Sequence, residues 1–454
     1  MIIQSTPFTS TVLSTLLEAY YNGSSYVGLQ SSDLLNSALP SSIINSPKQV
    51  IKQVSGAFTF PTNFFGAHIA GASSVAATTA SGVRLRDYGV RWSQIVLNTY
   101  ADTSSGGWTI STSTVNWPSH GLNAGNHGFC CYNVGGAIPT GVSVNTMYYL
   151  TNVQANTFQL SLSPNGAPIV LSGSKSGTTT MQAIATSVIN SLDQIVNACF
   201  SAGKDLIYDC STIPGSLSVV PGDIYNCPAA QISVTSWIAF LVNRYGTKIG
   251  YFEIWNEPNT PGYCNMPLTS GASSLLYYAA WIYQAVAATG QAANIKVLSP
   301  SWTGSGFVSQ FATYLQNGGA GNCDIVAFHS YAGGGTFLSA NDAAIDAILS
   351  VTTNAGNGVV GKPVWITEVG ESFPNYALVF RHHVYAAAKG IARMYWYSYD
   401  LSDGVGMMKL TDNATLASAY NTMITNLAGS SIAYVNKGTN RQIGISANGN
   451  NYVV

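Results

Sequence analysis

From residue 63 to residue 428 the chain alternates short apolar runs with stretches of helical periodicity, and this alternation limits the fold more than any other feature. Strands that alternate with helices imply βα units and a parallel sheet. The runs are NFFGAHI from Asn63, GVRLRDY from Gly82, KDLIYD from Lys204 and IGYFEIWNE from Ile249. They continue with IKVLSPS from Ile295, CDIVAFHSY from Cys323, KPVWITE from Lys362 and IARMYWYSY from Ile391. One apolar stripe of helical spacing joins Ile184, Val188, Leu192, Ile195 and Cys199, and Gly203 stops it; another joins Val234, Trp237, Ile238, Leu241 and Tyr245, and Gly246 stops it. Helices are expected at 272–289, 304–317, 341–353, 376–389 and 414–427, and the first connection, AGASSVAATTAS, is short. Eight strands with interleaved helices match an α/β architecture, the (β/α)8 TIM barrel.

One stretch breaks the alternation. Between about Tyr100 and Met181 short β-type runs are split by Gly, Pro and Asn turns, which reads as a small β-domain inserted at 101–181 after the second strand. The barrel is then expected at 61–100 and 182–428. Residues 1–60 carry Ser, Pro and Asn breaks, and 429–454 read as β-hairpins with turns near NKGTN and NGNN. The two ends are expected to form a small accessory β-layer, packed on each other or on the barrel.

Only 8% of the 454 residues are charged, with a net charge of −1, while 46% are hydrophobic. Ordinary globular chains carry roughly 25% charged residues. No basic stripe offers itself to nucleic acid, and no apolar run is long enough to cross a membrane. The N-terminal MIIQSTPFTS lacks a basic region, so no signal peptide is read. A hydroxyl- and amide-rich surface suits an extracellular or virion-associated setting. The 7 cysteines form no Cys-x-x-Cys motif, which argues against structural zinc. Cys210, Cys227 and Cys264 allow one disulfide, with buried thiols as the alternative. Cys130 and Cys131 are expected to face opposite sides of a strand.

In a charge-poor chain, carboxylates at strand ends stand out. Glu257 ends the fourth strand and Glu368 the seventh, at the rim where parallel barrels gather their functional groups. Along VWITE, Val364, Ile366 and Glu368 alternate to one side, so Glu368 is expected to continue an inward row. Two such carboxylates are the minimum for glycoside hydrolysis: one protonates the leaving oxygen, the other attacks the anomeric carbon.

The motifs EIWNEPN and WITEVG resemble those of clan A retaining glycoside hydrolases. The order FFGAHI, GVRLRDYGVRWSQI, EIWNEPN, FHSY, ITEVGE is similar to family 39 and to related exopolysaccharide hydrolases, over about residues 60–428 without the insert. The wording SHGL…IPTG…YYL…NTFQLS of the insert resembles a β-module of bacteriophage structural proteins. The resemblance implies Glu257 as general acid/base and Glu368 as nucleophile. It implies Arg84 as the cation beside the nucleophile, with Arg86 free to pair with Glu253. Asn256 would meet the sugar 2-hydroxyl. His329 or Tyr331 would lend a hydrogen bond to the nucleophile, and Trp396 would floor the sugar site. His68, Trp92 and Trp302 would line the cleft, and Glu371 is the replacement nucleophile.

Two departures weaken any carry-over of specificity: RLRDYG on the second strand and the long loop CSTIPGSLSVVPGDIYNCP after the third. The expected activity is retaining hydrolysis of a polysaccharide or oligosaccharide, with no metal or organic cofactor. A silent glycan-binding or virion-associated barrel, and a transglycosylase using the same pair, are the alternatives.

Overall fold

Two adjacent strands, β1 (Phe65–His68) and β2 (Gly82–Leu85), each present a glycine to one aromatic ring. A Cβ on Gly66 or Gly82 would stand 2.2 or 2.7 Å from atoms of Tyr395. Only glycine lets both backbones close around that side chain.

The computed structural model describes residues 60–453 except 86–88, 103–107, 126, 145, 218–230, 272–273, 305–306, 332–336, 371–375, 402–408, 438–439 and 448–449, and adds the strand residues 20–21, 26–27 and 53–59. The other barrel strands are β3 (Asp205–Asp209), β4 (Tyr251–Glu253), β5 (Lys296–Leu298, resuming at Trp302–Thr303), β6 (Val326–His329), β7 (Val364–Val369) and β8 (Arg393–Trp396). All pairs are parallel, in the order β5–β4–β3–β2–β1–β8–β7–β6 and back to the second half of β5. A parallel bridge between Leu298 and Ile325 completes the ring, so this is a closed (β/α)8 barrel.

The helices that follow the strands are α1 (Ala72–Ala77), α2 (Thr186–Ser201), α3 (Gln231–Tyr245), α4 (Leu275–Ala288), α5 (Val308–Gln316), α6 (Phe337–Thr352), α7 (Tyr376–Ala388) and α8 (Ala414–Leu427). Gly203 and Gly246, at φ 64° and 55°, end α2 and α3 in the left-handed turn that glycine tolerates best. Ile189, Leu192, Ile195, Val196 and Cys199 are the buried stripe of α2. Ile184, expected on that stripe, is instead the last residue of a strand.

That strand belongs to a seven-stranded antiparallel sheet running from Val96 to Ile184, a few residues wider at each end than the expected 101–181. Its first and last strands pair with each other, from Asp102 opposite Thr179 to Val96 opposite Ile184, and so return the chain to the barrel where it left. Trp108, Trp117, Phe129, Phe158 and Leu160 form its own core. Cys131 faces that core, while Cys130 faces the barrel's, as strand alternation requires. The sheet rests on α3: Thr180 Oγ1 lies 2.7 Å from Ser236 Oγ, and Gln182 Nε2 donates to the Ser233 carbonyl at 3.2 Å. This explains why α3 is buried on more than one face, down to Ser233 and Ser236.

The ends of the chain meet as a four-stranded antiparallel sheet in which Gln53–Thr59 pairs with Ser431–Lys437, followed by Asn440–Ala447 and Asn450–Val453. Among the described residues no helix is long and apolar enough to cross a membrane. Cys210 is a buried thiol; Cys227 lies outside the described residues.

Candidate active site

The barrel interior fills in layers. Near the floor, Arg393 donates to the Asn63 carbonyl and to Asp205, both at 2.6 Å, and lies over the ring of Trp365 at 4.8 Å. Tyr395, Ile207, Leu298 and Ala327 form an apolar plug with Trp365. Nearer the rim the interior becomes polar and charged: Arg84, Asp209, Glu253 and Thr367 are all buried. Glu257, Glu368, Asn256 and His329 complete the rim.

Arg84 organises this group. It donates to Glu253 through Nε and Nη2, to Asn256 Oδ1 at 3.1 Å and to Glu368 Oε2 at 3.0 Å. Asp209 lies 3.7 Å from Nη2, and His68 Nε2 lies 3.4 Å from Nη1. His68 Nε2 also reaches the Thr367 carbonyl at 3.0 Å; a carbonyl can only accept, so this nitrogen carries the proton. Arg84 thus takes both roles that the sequence divided between two arginines. Arg86 and Glu371 lie outside the described residues.

Glu368 receives a second hydrogen bond from the Tyr331 hydroxyl at 2.7 Å. Burial, and then the neighbouring Glu368 charge, push the Tyr331 phenol well above its ordinary range, which keeps it a donor. His329 Nδ1 is hydrogen-bonded to Glu257 Oε1 at 2.8 Å and stands 3.8 Å from Glu368 Oε2. Thr260 Oγ1 donates to Glu257 Oε2 at 3.2 Å. One oxygen of each glutamate and a ring nitrogen of His329 all lie within 4.8 Å of one another. That triangle could hold a divalent cation, but its carboxylates are already hydrogen-bonded to Arg84, Tyr331, His329 and Thr260.

Neither glutamate reaches the rim by simple alternation. On β7 it is Trp365 and Thr367 that point inward, while Ile366 packs in the outer core. The inward row expected for Val364, Ile366 and Glu368 is therefore wrong. Register shifts against β6 and β8 at this point turn Glu368 inward directly after Thr367, the re-aiming that a bulge provides. On the fourth strand, Ile254 and Trp255 both pack outward, and Glu257 sits at φ 47°. A left-handed glutamate is costly unless its surroundings hold it. Here Glu257 N donates to the Ser301 carbonyl at 2.8 Å, and Asn259 and Thr303 exchange side-chain-to-backbone bonds at 2.8 and 3.0 Å.

Arg84, Asn256, Glu257, His329, Tyr331, Glu368 and His68 are thus brought together. Trp396 and Trp302 are not. Trp396 is fully buried on the helix side of β8 and stacks on His383 of α7, with ring centroids 5.9 Å apart. Trp302 packs on Phe311 and Tyr314 around α5, and Trp92 stacks on Trp237 of α3. The aromatic at the rim of β8 is Tyr397, edge-on to His68 at 4.9 Å and near enough to Tyr331 to perturb its phenol. Its inward parity follows Arg393 and Tyr395, a signal present in the sequence. Asp209, Thr367 and Thr260 were also missed. Burial lifts the Glu253 carboxyl to about 7 against the pull of Arg84, and Asp209 pushes the same way.

The model of the cellulase family, glycosyl hydrolase family 5, matches residues 143–402, more than half of the chain. This chain belongs to glycosyl hydrolase family 5. The match takes in β3 to β8 with both glutamates; Arg84 and His68 lie before it. The clan is the one the motifs resembled, but the family model is that of family 5 rather than family 39. No curated protein matches the chain in sequence. Among solved structures, a family 39 glycoside hydrolase from Bacteroides cellulosilyticus is similar over 78% of this chain and 87% of its own, at 14% identity and TM-score 0.43. A family 51 α-L-arabinofuranosidase from Bifidobacterium longum covers 87% of this chain and 84% of its own, at 10% identity and TM-score 0.45. A broad-specificity endoglucanase of family 5 from Clostridium longisporum covers 54% and 77%, at 15% and 0.37. The family 5 chain is a glycosidase, and its substrate is a carbohydrate.

Proposed function

We propose that the enzyme cleaves a β-linked polysaccharide or oligosaccharide by double displacement, with Glu368 as nucleophile and Glu257 as acid and then base. The observation that carries this reading is the separation of the pair: an oxygen of each lies within 4.8 Å of the other. Retaining enzymes hold their carboxyl groups about 5–5.5 Å apart, whereas inverting ones leave roughly 6.5–9.5 Å for a water. The roles follow from the partners. Arg84 and Tyr331 each direct a hydrogen at Glu368, which fixes its oxygens for attack and leaves a permanent cation beside them. Glu257 is met by a histidine ring nitrogen and a neutral hydroxyl, partners compatible with a carboxyl that holds and releases a proton.

In the first step a Glu368 oxygen bonds to the anomeric carbon, the glycosidic C–O bond breaks, and the leaving oxygen takes the Glu257 proton. In the second, Glu257 removes a proton from water, whose oxygen displaces Glu368. Among the described residues the buried Nδ2 atom of Asn256 has no hydrogen-bond partner, while its Oδ1 is held by Arg84; this supports a donor for the sugar 2-hydroxyl. The cellulase family match supports trying β-glucans first, with xylans and bacterial exopolysaccharides after them. A secreted or virion-borne setting belongs to the same proposal, on the ground of the charge-poor composition.

The test uses Glu257→Gln and Glu368→Gln on 2,4-dinitrophenyl β-cellobioside and on the natural glycan. Glu257→Gln is expected to lose about 10²–10⁴-fold on the glycan but far less on the activated glycoside, whose leaving group needs little protonation. Glu368→Gln is expected to lose turnover on both. Equal losses for the two variants on the activated glycoside would refute the assignment.

A further inference from the structure

We propose that Glu253, buried beneath the two glutamates, is a positioning residue for the reaction: it fixes the Arg84 fork so that one arm meets Glu368. The inference rests on the role of Glu368 proposed above. A guanidinium is planar and rigid, so fixing two of its nitrogens fixes the third. Arg84 Nε and Nη2 are both directed at Oε2 of Glu253, and Nη1 is thereby presented to Glu368 at 3.0 Å. The other Glu253 oxygen, Oε1, accepts from Thr367 Oγ1 at 2.6 Å, and Thr367 is the residue that precedes Glu368. One carboxyl on β4 therefore holds the cation of β2 and the backbone neighbour of the nucleophile on β7.

Packing alone does not account for this group. An apolar side chain of similar volume would fill the space without the cost of taking a carboxylate out of water. What Glu253 adds is direction. Its contacts reach the two strands that carry Arg84 and Glu368, and Glu253 itself lies four residues before Glu257 on the same strand passage. It is fully buried below the rim, so it acts on the substrate only through Arg84 and Thr367.

The variants are Glu253→Ala, Glu253→Gln and Thr367→Val, assayed with 2,4-dinitrophenyl β-cellobioside alongside a melting curve. Misplacing a reacting group by about 1 Å can cost on the order of 10²-fold. Glu253→Ala is expected to lose about that much in kcat with KM within about threefold of wild type. Glu253→Gln is expected to recover most of the loss, because its carbonyl can accept from Arg84 while its amide donates to Thr367 Oγ1. Thr367→Val, which removes one tether, is expected to lose roughly three- to tenfold in kcat. Wild-type kcat in Glu253→Ala or in Thr367→Val, or a loss confined to KM, would overturn the proposal. So would a Glu253→Gln enzyme as slow as Glu253→Ala while melting with the wild type. Should Glu253→Ala fail to fold, the other two variants decide. The underlying reading is scored separately by labelling wild type with 2,4-dinitrophenyl 2-deoxy-2-fluoro-β-cellobioside. An adduct on Glu368 with unimpaired variants removes this inference alone, whereas a wild type that forms no adduct removes both.

Discussion

The barrel and the inserted sheet each bury a cation, and they use it in opposite ways. In the sheet, Lys175 Nζ lies 3.3 Å from Asp102 Oδ2 and donates to the Asp102 and Gly177 carbonyls at 3.0 and 2.9 Å. Among the described residues one charge meets one charge, two hydrogens go to backbone carbonyls, and the pair lies where the two strands that join the sheet to the barrel end. In the barrel, Arg84 is shared among Glu253, Glu368, Asp209 and Asn256, so acidic groups outnumber it. A buried charge that is simply balanced is a fastening. A buried charge divided among several acceptors, with two of them at the rim, is machinery.

The sharpest way to break this contrast is to remove each cation. Arg84→Met is expected to lower kcat about 10²–10³-fold, the usual cost of deleting an electrostatic donor at a reacting centre. It should also destabilise the fold by about 3–5 kcal/mol, because buried carboxylates lose their partner. Lys175→Met should show a similar order of destabilisation in thermal melts, about 3–5 kcal/mol before relaxation, yet leave kcat at the wild-type value. If Lys175→Met slowed turnover in fully folded enzyme, the sheet would not be the inert fastening described here.

The aromatics offer a second contrast, between Tyr397 at the rim and Trp396 behind it. Tyr397→Ala is expected to reduce kcat/KM roughly two- to tenfold, since an aromatic ring packed on a ring partner contributes about 0.5–1.5 kcal/mol beyond its buried area. Trp396→Phe should leave KM unchanged and lower only the melting temperature. The reverse pattern would return the sugar site to Trp396, as the sequence had it.

That exchange shows where the sequence was readable. The eight strands, the helix stops at Gly203 and Gly246, and both glutamates were legible because they depend on local periodicity and residue type. Which face of a strand a residue occupies was legible only where alternation held, as for Arg84 between Val83 and Leu85. It failed at Thr367–Glu368 and at Ile254–Trp255, where register shifts and a left-handed residue break the period. Those breaks are set by neighbouring strands, through contacts such as Glu257 N with Ser301, that no single segment encodes. MYWYSY carries aromatics on both parities, and only the parity shared with Arg393 marks Tyr397 as inward. Glu253 was noticed as a charge in need of a partner, but its bond to Thr367 is a tertiary fact.

The smallest expected effect concerns pH and stability. Burial raises the Glu253 carboxyl to about 7, above the roughly 4.3 of an unfolded glutamate. The stability this contributes is fully present below the unfolded value and is lost as pH rises through about 7. Glu253→Gln has no proton to lose, so its melting temperature relative to wild type should climb between about pH 5 and pH 8. A constant difference across that range would mean that Glu253 is ionised throughout, with Arg84 outweighing its burial.

The pair of rim carboxylates can be tested without any variant. Proton NMR of the first sugar released from a β-linked oligosaccharide, read before mutarotation, should show the β-anomer, as two successive displacements at one carbon require. Release of the α-anomer would mean a single displacement by water, and Glu368 would not be the nucleophile.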